Sequence, residues 1–452
     1  MGACPLAKPR GPAFRCKSAL VVPPRLRAFR FNPSREIPCC RKARQENRQT
    51  ASLTAQLAPI PVAEKAYITP KVLKWARETA RLSLEQAAKK VTGLTPERLT
   101  NWEEGVEQPT IKQAETLAKA YRRPFAMLFL PDVPYDFKPL DDFRRSGAKE
   151  LTTAAEFIIR DIRQKQSWIS ELQRENEEPV LPFVGRYTVN NEPSVVAQDI
   201  LRTLGIDPEA YTEREPIREW ISKAEATGIF VSRTSFIHSH LKLDSEEFQG
   251  FAIADPHAPF VFINTEDWDK AQLFTLVHEL AHLWIAATGI SSEIEPGRAN
   301  ATNSNPIERF CNAVAAHALM PDRVMASLTA SQFTGSSSIA QIAERYGVSS
   351  WALLVRAHGR GLVTDTGYQS MKATLDKDFK EYLHALTERK KEKERPKGGP
   401  NPYLLRLNKN GRLFTQIVLD AFRGGVIQPT LASTLLNTPV NNFSKFEAIM
   451  YR

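Results

Sequence analysis

Residues 275–284 read TLVHELAHLW, with His278 and His282 four apart and Glu279 beside the first. On an α-helix, positions i and i+4 share a face, so both imidazoles can offer a nitrogen to one metal ion. Glu279, one step round the helix, can reach a water in the ion's open position and take its proton. The neighbours Leu276, Val277, Leu280, Ala281 and Leu283 make the rest of the stretch apolar. Two histidines and a carboxylate in such surroundings are costly unless paired or bound to metal. The plain alternative is a surface helix with incidental histidines.

A catalytic metal needs a third protein ligand. The stretch PIERFCNAVAAHALMP, residues 306–321, offers Glu308. Ile307, Phe310, Cys311, Val314, Ala315, Ala318 and Leu319 form its apolar stripe, and Glu308 projects toward that side. A carboxylate there wants a partner, and a metal ion is a good one. An acid in the first turn of a helix is also favoured by the helix dipole, so position alone does not choose.

FTLVHELAHL, followed 26 residues after His282 by ERFCNAVAAHALMP, resembles the ImmA/IrrE family of zinc metallopeptidases. The family pattern is an F-T-x-x-H-E-x-x-H helix followed by an E-x-x-A/C-N-x-x-A-A-x-x-L-M-P helix. The resemblance implies one zinc ion held by His278, His282 and Glu308, with Glu279 as general base for peptide hydrolysis. GFAIAD and FVFINTED stand where the family places a small sheet, and a strand such as Gly250–Ala254 is expected to hold substrate by edge pairing. YITPKVLKWARE and YLLRLNKNGRLFTQIVLDAFRGGVIQP resemble the helix-turn-helix-fused branch, which extends the likeness over roughly residues 66–450. The implied partner is a protein substrate, a specific repressor encoded nearby whose cleavage induces genes. The implied setting is the cytoplasm of a bacterium, or a phage or mobile element. From another class, the alternative is a DNA-binding regulator or antitoxin-like protein with a vestigial peptidase centre. The intact Glu279 favours the enzyme, because a purely structural zinc does not require it. His317 is read as packing or facing water rather than contacting the oxyanion, and His238, His240 and His257 are left without a role.

Residues 67–130 resemble a Cro/C1-type (XRE) helix-turn-helix, with Leu84, Ala87, Leu94, Leu99 and Trp102 as packing positions. Its recognition helix offers Arg98 and Asn101 to base edges. Eleven basic residues against seven acidic ones attract phosphate only mildly. A module that binds a protein or merely packs is the competing account.

The net charge of +10 is concentrated at the start of the chain. Residues 1–50 hold 12 Lys/Arg against two acids, leaving 49 against 49 in the remainder, so the body is not a general polyanion binder. Of five cysteines only Cys311 lies beyond that segment, which argues against a disulfide framework and for a reducing compartment. No apolar run reaches the length of about 18 residues that a membrane span needs. The expected fold is α+β and mainly helical. Its expected parts are a basic extension (1–65), a five-helix helix-turn-helix domain (66–131) and a linker (132–150). A zincin-like peptidase domain with a small sheet (151–335), a helical subdomain (336–388), a charged linker (389–400) and a small C-terminal domain (401–452) complete the chain.

Overall fold

The computed structural model describes residues 64–134, 140–143, 150–213, 215–238, 241–244, 247–266, 269–291, 305–392 and 401–451. The basic opening segment lies outside them, as does most of the loop before Asn305.

The first part is helical: α1 (Pro70–Thr79), α2 (Leu84–Ala88), α3 (Pro96–Glu103) and α4 (Ile111–Ala120). Ser83 and Thr110 close reciprocal capping boxes with Gln86 and Gln113, and Thr95 accepts from the Arg98 amide, so three of the four helix starts are written locally. Thr69 stands before Pro70, the pattern of a cap followed by a helix-starting proline, but its side chain does not cap; its amide instead donates to Leu128 O. PFAMLFL forms a 3-10 turn, Phe125–Phe129, rather than a fifth α-helix. Val72, Leu73, Ala76, Leu99, Trp102 and Leu117 fill the core of this part, and Phe157 of the next helix joins them.

Strand β1 (Asp141–Asp142) precedes three helices: α5 (Thr153–Glu175), α6 (Pro193–Leu204) and α7 (Pro216–Ala226). The stretch 194–228, whose sequence pattern by itself reads as one helix ending at Gly228, is therefore two. Gly205 takes a left-handed conformation that ends α6, and Pro216 restarts the chain as α7. Next come β2 (Phe230–Arg233), β3 (Phe236–His238), β4 (Leu241–Lys242), β5 (Gly250–Ile253) and β6 (Phe260–Ile263). Helix α8 (Asp269–Trp284), β7 (Gly289–Ser291) and α9 (Pro306–Leu319) complete the centre. Helix α8 ends at Trp284, short of Gly289, because Ala286 adopts a positive φ; Gly289 belongs to β7.

The main sheet has the order β1-β7-β5-β6-β2. Its central strands are buried on both faces, which explains why they read as continuous apolar runs. Val231, Ala252, Val261 and Ile263 face α6–α9. Phe230, Phe251, Phe260 and Phe262 face α5 and the C-terminal helices. β5 lies between β7 and β6, hydrogen-bonded to both. It has no free edge, so the expected substrate pairing on Gly250–Ala254 is excluded.

The remaining helices are α10 (Asp322–Ala326), α11 (Ser336–Arg345), α12 (Ser350–Gly359), α13 (Asp365–Glu392), α14 (Pro402–Asn410), α15 (Arg412–Arg423), α16 (Pro429–Leu436) and α17 (Phe443–Met450). The charged run expected as a linker begins inside α13. Buried residues of α11 and α12 share one core with α8 and α9. The C-terminal helices are anchored by buried polar groups as well as by their apolar faces. Lys165 of α5 donates to Asp161 Oδ2 at 3.1 Å and to Asn410 Oδ1 at 2.9 Å. Glu225 of α7 accepts the Leu413 amide at the start of α15. Together these observations give an α+β, mainly helical fold.

Candidate metal centre

Helix α8 is buried nearly all round, packed under β5 and β6 and against α9. Trp284 at its end stacks on Phe183 and donates its indole N–H to buried Asp199 at 2.9 Å. Two arginines also pair with Asp199, Arg186 at the oxygen that Trp284 uses and Arg202 at the other. This anchors the end of the turn that carries His282.

His278, Glu279 and His282 have no solvent exposure, and Glu308 on α9 has 5 %. The Nε2 atoms of His278 and His282 lie 3.0 Å apart. Glu308 reaches both, Oε2 at 3.3 Å from His278 Nε2 and Oε1 at 3.2 Å from His282 Nε2. All three donor atoms fall within 4.8 Å of one another. His278 Nδ1 meets Asn312 Oδ1 at 2.8 Å, a contact that turns Nε2 of the ring toward the cluster. Ser291 Oγ, on β7, donates to Glu308 Oε1 at 3.3 Å.

Burial works against charge on Glu308, yet the imidazoles of His278 and His282 hold its carboxyl down to about 2. Burial pushes His282 toward its neutral form, with Glu308 opposing. Glu279 is pushed well above the usual carboxylate range, first by burial and then by the charge of Glu308. Neither Glu279 oxygen has a partner at hydrogen-bond distance, the nearby Ser291 hydroxyl only opposing the upward shift, and His282 Nδ1 has no partner either. A buried, unpartnered carboxylate beside three converging donor atoms is unfavourable by itself, and a divalent cation resolves it. The donor set of two imidazoles and one carboxylate fits zinc.

Glu279 needs room as well as a neighbour. Gly250 of β5 supplies it, since a Cβ there would lie 2.9 Å from Glu279 Oε1 and 2.8 Å from Thr275 Cγ2. Asn312, Ser291 and Gly250 were not singled out by sequence reasoning. Asn312 left a signal, one turn after Glu308 on the same face. Ser291 and Gly250 left none, because they arrive from strands.

The other sequence candidates lie elsewhere. Arg98 is exposed, pairs with Glu107 at 3.3 Å and lies over the Trp102 ring. Asn101 is partly buried on the same helix. His317 packs against Arg356 and Asp322. His257 holds a buried Nδ1 without a partner, while the side chains of His238 and His240 lie outside the described residues.

Comparison with known proteins agrees with this layout. Residues 224–358 match the Peptidase M78 model, an IrrE N-terminal-like domain. The match starts near the end of α7 and closes within α12. Residues 73–128 match a helix-turn-helix model. No curated protein matches the chain. The chain thus joins a helix-turn-helix domain of the XRE, DNA-binding type to a metallopeptidase-like domain of the ImmA/IrrE kind. Among the described residues no helix is long and apolar enough to cross a membrane.

Proposed function

We propose that this chain is a zinc-dependent endopeptidase that cleaves a specific transcriptional regulator, and that His278, His282 and Glu308 hold the ion. The observation that carries the reading is the unpartnered, fully buried Glu279 beside that triad. A zinc ion, when bound, supplies Lewis-acid activation of water and of the scissile carbonyl. Glu279 takes the proton from the attacking water and returns it to the departing amine. Asn312 orients the His278 ring, Gly250 leaves Glu279 its space, and the apolar walls of α8 and α9 exclude bulk water. The helix-turn-helix domain supports a regulatory setting, with a repressor encoded nearby as substrate, DNA contacted through Arg98 and Asn101, and a cytoplasmic location.

The test incubates the zinc-loaded protein and its Glu279→Gln variant with the neighbouring regulator and measures zinc in both. Loss of the general base should slow cleavage by about 10²–10⁴-fold at equal zinc content. Equal cleavage by both proteins would remove Glu279 from the chemistry. Bound zinc without cleavage by either would favour a DNA-binding regulator with a vestigial centre.

A further inference from the structure

The main sheet ends in β2 on one side and β1 on the other. The β1 side borders the metal-site residues, because β7 carries Ser291, whose hydroxyl lies 3.3 Å from His282 Nε2 and 3.3 Å from Glu308 Oε1. The inner neighbour of β7 is β5. Its outer neighbour comes from outside the peptidase core, from the chain between the helix-turn-helix domain and α5. There Asp141 and Asp142 pair in parallel with Gly289 and Ile290, and the Phe143 amide donates to Ile290 O at 3.1 Å.

Two exposed aspartates make a poor reason to form a strand, since they bury no apolar surface. The next residue is more telling. Phe143 lays its ring flat on the His282 imidazole, with centroids 5.4 Å apart and planes 2° apart. The space exists only because residue 289 is glycine: a Cβ there would lie 2.3 Å from Phe143 Cε2 and 2.7 Å from Asp141 O. Backbone pairing, a flat ring on a metal-site histidine and a glycine that admits them converge on one short segment.

A strand edge beside a hydrolytic centre is where an extended peptide adds, through main-chain hydrogen bonds and a side chain placed in a pocket. Here that edge is taken. We propose that Leu140–Phe143 is a built-in occupant of the peptide groove, which competes with substrate through its pairing to β7 and its ring on His282. The inference rests on the peptidase reading above. Leu140 holds the start of the segment in the core beneath the sheet, while the two-residue pairing that follows it is weak enough for the Phe143 end to open locally, so the groove is available for a fraction of the time and substrate affinity is reduced by that fraction. The occupant that replaces it is an extended peptide offering an aromatic or large apolar side chain where Phe143 now sits.

The test uses the full chain with one equivalent of Co²⁺ in place of zinc, read by its visible absorption. Two probes are titrated, acetohydroxamate and a phenylalanine-containing tripeptide hydroxamate. Phe143→Ala removes the ring, and Phe143→Pro removes both the ring and the amide donor. Both variants should bind the tripeptide probe about tenfold more tightly than the wild type, as expected if the groove is open roughly a tenth of the time. Acetohydroxamate, too small to need the edge, should bind all three alike. Unchanged tripeptide affinity in both variants would overturn the proposal. Tighter binding without cleavage of the neighbouring regulator by any of the three would leave the strand's role standing and remove the peptidase reading.

Discussion

Helices α8 and α3 carry their polar side chains in opposite settings. On α8, His278, Glu279 and His282 are wholly buried in an apolar core, and Glu279 has no partner there. On α3, Arg98 is exposed, and Glu107 and the Trp102 ring occupy it. Leu99 and Trp102 hold α3 in place whatever its outer face does. Burying a carboxyl group without a partner is costly as a charge and still costly as the neutral acid that burial favours, so its presence on α8 calls for a ligand. Exposed charge costs almost nothing, so on α3 it says little about what the helix touches.

The sharpest way to break this contrast is to crowd α8 without touching its ligands. Gly250→Ala should push Glu279 and the Thr275 methyl away from β5 and lower cleavage about 10²-fold, the penalty for misplacing a catalytic group by around 1 Å. Near-normal cleavage would mean that Glu279 has slack to move. Asn312→Ala frees His278 Nδ1 and should weaken zinc binding about 10–100-fold in a competitive chelator titration. An unchanged affinity would show that α8 packing alone orients the ring.

Between the two extremes stands Glu225, buried at the α7–α15 seam but hydrogen-bonded to the Leu413 amide. Burial outweighs that bond and lifts its carboxyl from 4.5 to about 7. The folded state therefore prefers the protonated form. Its contribution is complete below the unfolded value and is lost as pH rises through the folded one, at most about 3 kcal/mol. Thermal melting from pH 5 to pH 8 should show this decline, and Glu225→Gln should flatten it. A wild type whose melting temperature rose over that range would contradict the assignment.

The smallest effect is expected on α3. Arg98→Ala should weaken binding to a cognate operator by about 1 kcal/mol, because Glu107 already shares the guanidinium, and should hardly change the melting temperature. No change in operator affinity would favour a helix-turn-helix that docks protein.

Much of the site was legible because its signals are local. His278, Glu279 and His282 lie within one turn of α8, and their spacing fixes a shared face before any tertiary contact forms. Glu308 was legible as a carboxylate beside an apolar stripe, though position alone could not separate a metal ligand from a helix-dipole acid. The capping residues Ser83, Thr95 and Thr110 and the helix-starting Pro70 and Pro306 likewise mark helix starts within a few residues of sequence. Where reading failed, the deciding interaction was distant or the breakers were masked by their surroundings. The split of 194–228 turned on two breakers inside an otherwise helical pattern. The edge pairing expected of Gly250–Ala254 failed because β7, arriving after α8, covers β5.

The sequence by itself determined the chemistry available: which helix bears the imidazoles, which acid stands beside them, and which helix brings the second carboxylate. Spacing along a helix suffices for that, since 3.6 residues per turn converts order into direction. Tertiary structure alone decided what surrounds the chemistry. It brought Glu308 to within 3.3 Å of both histidines, set Gly250 over Glu279, and laid Phe143 against His282 through the gap at Gly289. These contacts join residues remote in the chain, and no local periodicity encodes which strand becomes the neighbour of which.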